Sequence, residues 1–137
     1  MLKKTMTYTD FDGNERTEDF YFNLTKAELT EMNFSTKGGF EAWIRKIINA
    51  QDTKEIIAVF KDIIAKAYGE KSLDGRQMIK TPEITAAFMQ TQAYSDLFME
   101  LATDDKKAAA FINGIIPNEL AQEMSKNTSA IPFPSNN

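Results

Sequence analysis

The stretch from Tyr8 to Met32, YTDFDGNERTEDFYFNLTKAELTEM, constrains the fold more than any other part of the chain. Ahead of it, Lys3 to Thr9 places Thr5, Thr7 and Thr9 on one side and Leu2, Met6 and Tyr8 on the other. β-Branched residues at a period of two argue for a strand. Asp10 to Asn14 (DFDGN) is turn chemistry, because Asp, Gly and Asn tolerate the positive φ of a tight reversal. Glu18 to Leu24 is then the predicted return strand, with Phe20, Phe22 and Leu24 on one face and Asp19, Tyr21 and Asn23 on the other. An isolated hairpin is marginally stable, so the C-terminal part of the chain must cover the Phe20/Phe22 face. Thr25 to Glu28 is a capping box, in which the threonine hydroxyl and the glutamate carboxylate each take the other residue's backbone amide. A short helix therefore begins after Thr25 and ends near Met32.

Helical spacing dominates from there. After a break at Thr36 to Gly39, Phe40, Trp43, Ile44, Ile47 and Ile48 form an apolar stripe. A helix from Lys54 to about Tyr68 carries Ile56, Ile57, Val59, Phe60, Ile63, Ile64 and Ala67 over more than half of its circumference. That width predicts a central core helix. Gly69 to Lys80 is polar with an Asp74-Gly75 turn signal, and Met78 to Lys80 is able to pair briefly as a strand. Thr81, Pro82 and Glu83 supply cap, first-position proline and first-turn carboxylate of a helix bearing Ile84, Ala87 and Phe88. It pauses near Thr91 and resumes with Tyr94, Leu97, Phe98 and Leu101. A further helix, capped at Thr103 to Asp105, shows Ala108, Phe111, Ile112 and Ile115 on one face and ends at Gly114 to Pro117.

The fold class is therefore α+β: an N-terminal β-hairpin followed by a mostly α-helical domain of five to six helices. Residues 1–125 form a single domain in this reading. Residues 126–137, with two prolines and no acidic residue, form a flexible tail that cannot bury enough to order itself. At 137 residues a chain can bury about 68–70% of its unfolded surface, so one core suffices.

Composition narrows function mainly by exclusion. Histidine and cysteine are both absent, which removes the commonest general base, thiolate zinc sites and disulfides. Net charge is −4, which counts against nonspecific nucleic-acid binding. No apolar run matches a signal peptide or the roughly 18–20 residues of a membrane span. These traits predict an acidic cytoplasmic protein that is not an enzyme and uses no cofactor, no metal and no membrane, with oligomeric state left open.

Candidate sites fare poorly one at a time. Asp10, Asp12 and Asn14 resemble the start of a calcium loop, but its sixth and twelfth places hold Glu15 and Tyr21. Gly38-Gly39 precedes a helix yet lacks the phosphate-loop lysine and spacing. No carboxylate pair stands out as acid and base. Four residues remain as candidates for binding a protein partner. Tyr94 and Phe98 lie on a helix rich in Phe and Met, where core packing is the competing role. Ile131 and Phe133 alternate with prolines that preorganise an extended docking segment.

Several strings also resemble a known family. Tyr8 to Asn14, Glu18 to Leu29, Ala65 to Gly69, Asp74 to Arg76, Gln92 to Ala102 and Phe111 to Pro117 look like tail assembly chaperones of long-tailed bacteriophages and prophages of Gram-positive bacteria. The resemblance covers roughly residues 1–120. It implies a chaperone that binds the tape-measure protein and keeps it soluble while tail-tube subunits polymerise around it, in the host cytoplasm. It also implies a programmed frameshift that makes a longer product, with residues 126–137 near the frameshift point. No family binding residues can be carried over. A head–tail connector or minor tail component, and a small acidic regulator of a host protein, stay open as alternatives.

Overall fold

The computed structural model describes residues 1–31 and 53–117. The predicted hairpin forms from β1 (Leu2–Thr9) and β2 (Glu15–Phe22), paired from Leu2 opposite Phe22 to Thr9 opposite Glu15. Among the described residues five helices accompany it: α1 (Lys26–Glu31), α2 (Thr53–Ala67), α3 (Pro82–Met89), α4 (Gln92–Thr103) and α5 (Asp105–Ile115). The architecture is α+β, as expected.

Alternation along β1 sends Leu2, Met6 and Tyr8 toward the helices and leaves Thr5, Thr7 and Thr9 in solvent. Lys4 shares the inward face because its ammonium reaches the edge and pairs with Glu100 of α4 at 3.2 Å. On the outer face the threonines pair across the strands, Thr5 to Asp19 at 2.6 Å and Thr7 to Thr17 at 2.9 Å. These polar pairs extend β2 back to Glu15, three residues before its predicted start at Glu18. Its far end also differs from the expected Leu24. The Asn23 and Leu24 amides donate to the Ala67 and Ile115 carbonyls at the ends of α2 and α5, so they leave the ladder.

Among the described residues the sheet has four strands in the order β1-β2-β3-β4. β3 (Tyr68–Lys71) follows α2 directly, where the sequence suggests a polar connection; it pairs with β2 at Tyr21 and Phe22. β4 (Met78–Ile79) pairs with β3, as the brief strand read at Met78 suggests. Gly69 makes this close pairing possible, since a Cβ there would stand 3.0 Å from the Ile79 carbonyl oxygen.

The core lies between this sheet and α2 to α5. Phe22 is fully buried, with ring contacts to Tyr68, Phe88 and Phe111 at 5.2–5.9 Å. Phe88 stacks on Tyr68 at 4.0 Å between ring centres. Phe60, Ile63, Ile64 and Ala67 bury one face of α2, whereas Ile57 is 43% exposed. From Ile57 onward, the described part of α2 thus buries one face and leaves Ile57 in contact with solvent.

Caps set the helix boundaries where the sequence places them. At α1, the Thr25 amide donates to Glu28 Oε1 at 2.9 Å and the Glu28 amide to Thr25 Oγ1 at 3.1 Å. Thr81 and Thr91 accept from the Ile84 and Tyr94 amides, so α3 and α4 are separate helices with the expected pause. Asp104 accepts from the Lys106 and Lys107 amides to start α5. The Phe40 stripe, the Gly38-Gly39 segment and the 126–137 tail lie outside the described residues.

Candidate functional site

Two surfaces emerge, and both are anchored by one run of aromatic rings. Tyr8 contacts Phe20 at 6.2 Å, Phe20 contacts Phe88 at 5.3 Å, Phe88 contacts Tyr94 at 5.8 Å and Tyr94 contacts Phe98 at 6.1 Å. The run leads from the sheet, through α3, to the outer face of α4.

At the α4 end stand two of the residues singled out from sequence. Tyr94 and Phe98 are half-buried and pack on the core, with Met99 beside them 53% exposed. Burial raises the Tyr94 phenol above its ordinary value, so it stays neutral across the physiological range. Each of the two residues therefore divides its surface between core and solvent. Ile131 and Phe133 lie outside the described residues.

At the sheet end a groove of about 330 Å³ opens between α3 and the seam of β2 and β3. The seam opens because β2 and β3 are paired at only two positions, Tyr21 with Gly69 and Phe22 with Tyr68. Tyr8, Phe20, Ile84, Ala87 and Phe88 give the groove an apolar floor; Glu18, Glu70 and Glu83 rim it. The Tyr8 hydroxyl donates to Glu18, and this bond raises the phenol's pKa. Burial raises the Tyr68 phenol, with the Glu70 and Glu18 charges adding to it. The groove escaped the sequence reading because its walls come from four elements far apart in the chain.

Two more exposed apolar side chains escaped it, and for these a local signal exists. Phe11 is 79% exposed, and Leu73 protrudes fully. They occupy equivalent places in the turns Asp10-Phe-Asp-Gly13 and Ser72-Leu-Asp-Gly75. In both turns the glycine amide donates to the first residue's carbonyl at 3.0 Å, and the glycine has positive φ, +85° and +76°. A bulky residue just before Asp-Gly in such a turn faces away from the strands.

The same turn geometry disposes of the calcium-like reading. Asp10 Oδ1 accepts from the Asp12 and Asn14 amides at 2.9 Å, and Oδ2 accepts from Arg16 at 2.6 Å. The carboxylate is thus committed to the turn, and the Arg16 bond followed by the amides lowers its pKa. Among the described residues, no group of three or more His, Cys, Asp or Glu side chains is placed to hold a metal ion. No helix among them is long and apolar enough to cross a membrane.

Comparison with known proteins finds no similar curated protein and no similar solved structure. A protein family described as phage tail assembly chaperone matches residues 1–135. A chaperone family implies a protein partner and points to a non-enzymatic role. Nearly the whole chain fits the family, and on that ground it belongs to the phage tail assembly chaperones.

Proposed function

We propose that the protein is a non-enzymatic chaperone that binds the tape-measure protein during tail morphogenesis, in the cytoplasm of the infected host. The family match over residues 1–135 carries this reading. A tape-measure protein is a long helical client that must stay soluble until tube subunits enclose it. A chaperone for it needs apolar contact area with modest affinity, near the low end of specific interfaces, so that polymerisation can displace it.

The contact surface in this proposal is helical. Phe20 and Phe22 are buried and cannot serve, whereas Tyr94 and Phe98 keep part of their rings in solvent beside exposed Met99. Ile131 and Phe133, beyond the proposed domain of residues 1–125, supply a second contact in this proposal. Co-purification of the full chain with the tape-measure protein of the same phage tests the proposal. Capture is expected for the parent chain and at least a several-fold loss for Phe98→Asp and Phe133→Ala. Absence of capture by the parent overturns the function, and unchanged capture by both variants overturns the surfaces. Mass spectrometry of finished particles should find no stoichiometric copy of the chain; finding one would make it a virion component.

A further inference from the structure

The groove over the β2–β3 seam has a charge preference that membership of the family does not contain. Glu18 and Glu70 stand on its sheet side and Glu83 in the first turn of α3. Glu70 and Glu83 are exposed and have no hydrogen-bond or ion-pair partner among the described residues. Arg16 comes within 3.6 Å of Glu18, but Asp10 already holds it at 2.6 Å. The rim is therefore left with carboxylate charge. The neutral forms of both phenols are favoured, Tyr8 chiefly by its bond to Glu18 and Tyr68 chiefly by burial, with the Glu70 and Glu18 charges adding to the latter.

An apolar floor between carboxylates suits a side chain with an aliphatic stem and a cationic end. The methylenes lie on Ile84, Ala87 and the aromatic edges while the head reaches the rim. An acidic side chain would face like charge, and a wholly apolar one would strip water from carboxylates without pairing them. Phe88 and Thr91 belong both to this groove and to the junction with α4, where Tyr94 packs on Phe88. A cationic position in the client would therefore sit next to an apolar one.

We propose that this groove takes a lysine or arginine side chain of the polypeptide client, seated on the apolar floor and paired with Glu70 and Glu83. The proposal rests on the reading that the client is a protein. Its test uses the full chain and two synthetic helical peptides of alanine, glutamine and leucine, one with a central arginine and one with citrulline in its place. Calorimetric titration is expected to show the arginine peptide binding about ten-fold tighter, a difference near 1.4 kcal/mol, with the preference shrinking in high salt. In the double variant Glu70→Gln, Glu83→Gln, that preference should vanish while the thermal midpoint falls by no more than a few degrees, the effect of losing the Glu83 charge from the first turn of α3, since neither carboxylate has a hydrogen-bond or ion-pair partner among the described residues.

Equal affinity for the two peptides, binding of neither, or a preference that survives in the double variant would each overturn the proposal. Capture of the tape-measure protein separates this from the function itself. If the parent and the double variant capture it equally, the groove assignment fails and the chaperone reading stands. If the parent captures none, the choice of client fails, and the peptide titration still decides the groove.

Discussion

The two hairpins of the sheet use the same turn and are held together in different ways. Asp10 opens the first turn and takes the Asp12 amide within it, whereas Ser72 opens the second, donates its hydroxyl to Asp74 and takes the Gln77 amide beyond the turn. Each then presents a bulky apolar residue, an aspartate and a positive-φ glycine. Beyond the turn they diverge. β1 and β2 pair over their full lengths and close their outer face with threonine and aspartate pairs. β3 and β4 pair only at Glu70–Ile79 and Lys71–Met78.

Two pairs of residues do not hold a hairpin in water. The second hairpin persists because the rest of the molecule grips it. Tyr68 stacks on Phe88, Gly69 lies against the β4 backbone, and Lys80 closes the end of β4. The Lys80 ammonium donates to the Asn23 carbonyl at 2.6 Å, to Glu28 Oε2 at 2.6 Å and to the Lys66 carbonyl at 2.9 Å. A single cation thus ties together the ends of β2 and α2 and the first turn of α1. The lesson is that the same backbone turn produces a self-supporting hairpin in one place and a dependent one in another.

Removing the shared support should break both hairpins at once. Phe22→Ala leaves a cavity among Tyr68, Phe88 and Phe111, and should cost about 3–5 kcal/mol in urea unfolding. Lys80→Met acts on the second hairpin, because it removes the ammonium donor of two carbonyls and of Glu28 Oε2. A loss of about 1.5–3 kcal/mol is expected from hydrogen bonds to a charged group.

The Lys80 variant also sharpens the comparison through pH. Burial pushes the Glu28 carboxyl up, but Lys80 and the Thr25 amide outweigh it, and the folded pKa lies below the ordinary 4.5. A depressed folded pKa adds stability that is complete above 4.5 and disappears as pH falls through the folded value. Stability measured below pH 4.5 should therefore fall less steeply in Lys80→Met than in the parent. An unchanged slope would show that Glu28 is not coupled to Lys80.

Glycine substitutions separate packing from backbone conformation. Gly69→Ala presses a methyl against Ile79 O, Lys80 Cγ and Met78 Cε at 3.0–3.1 Å, and should cost roughly 1–3 kcal/mol by overpacking. Hydrogen exchange should quicken in β3 and β4 while β1 stays protected. Gly13→Ala meets nothing within 4 Å, so its cost is only that of φ +85°, about 1–2 kcal/mol. The smallest effect belongs to the turn tips: Phe11→Ser and Leu73→Ser should each shift stability by less than about 0.5 kcal/mol, measured as the urea midpoint.

Local chemistry made most of this molecule readable in advance. The DFDGN turn, the Thr25–Glu28 box, the Thr81-Pro82 start, the pause at Thr91 and the Asp104 cap all depend on residues within a few positions of one another. Tyr68 to Lys71 was not readable, because nothing in YGEK is strand-like until Tyr21 and Ile79 stand beside it. The same holds for the candidate site. Tyr94 and Phe98 stood out as a helical pair, but their half-buried state depends on Phe88, an element away. The groove joins positions 8, 18, 70 and 83, which no spacing rule connects.

By itself, the order of residues determined where the chain turns, where helices begin and which sides face inward, since steric limits and short-range hydrogen bonds decide these. Tertiary structure alone decided how far β2 extends, that α2 runs into a third strand, and where carboxylates converge over an apolar floor. Those outcomes depend on which distant backbone donors and side chains share a site, and their free energy exists only once the core brings them together.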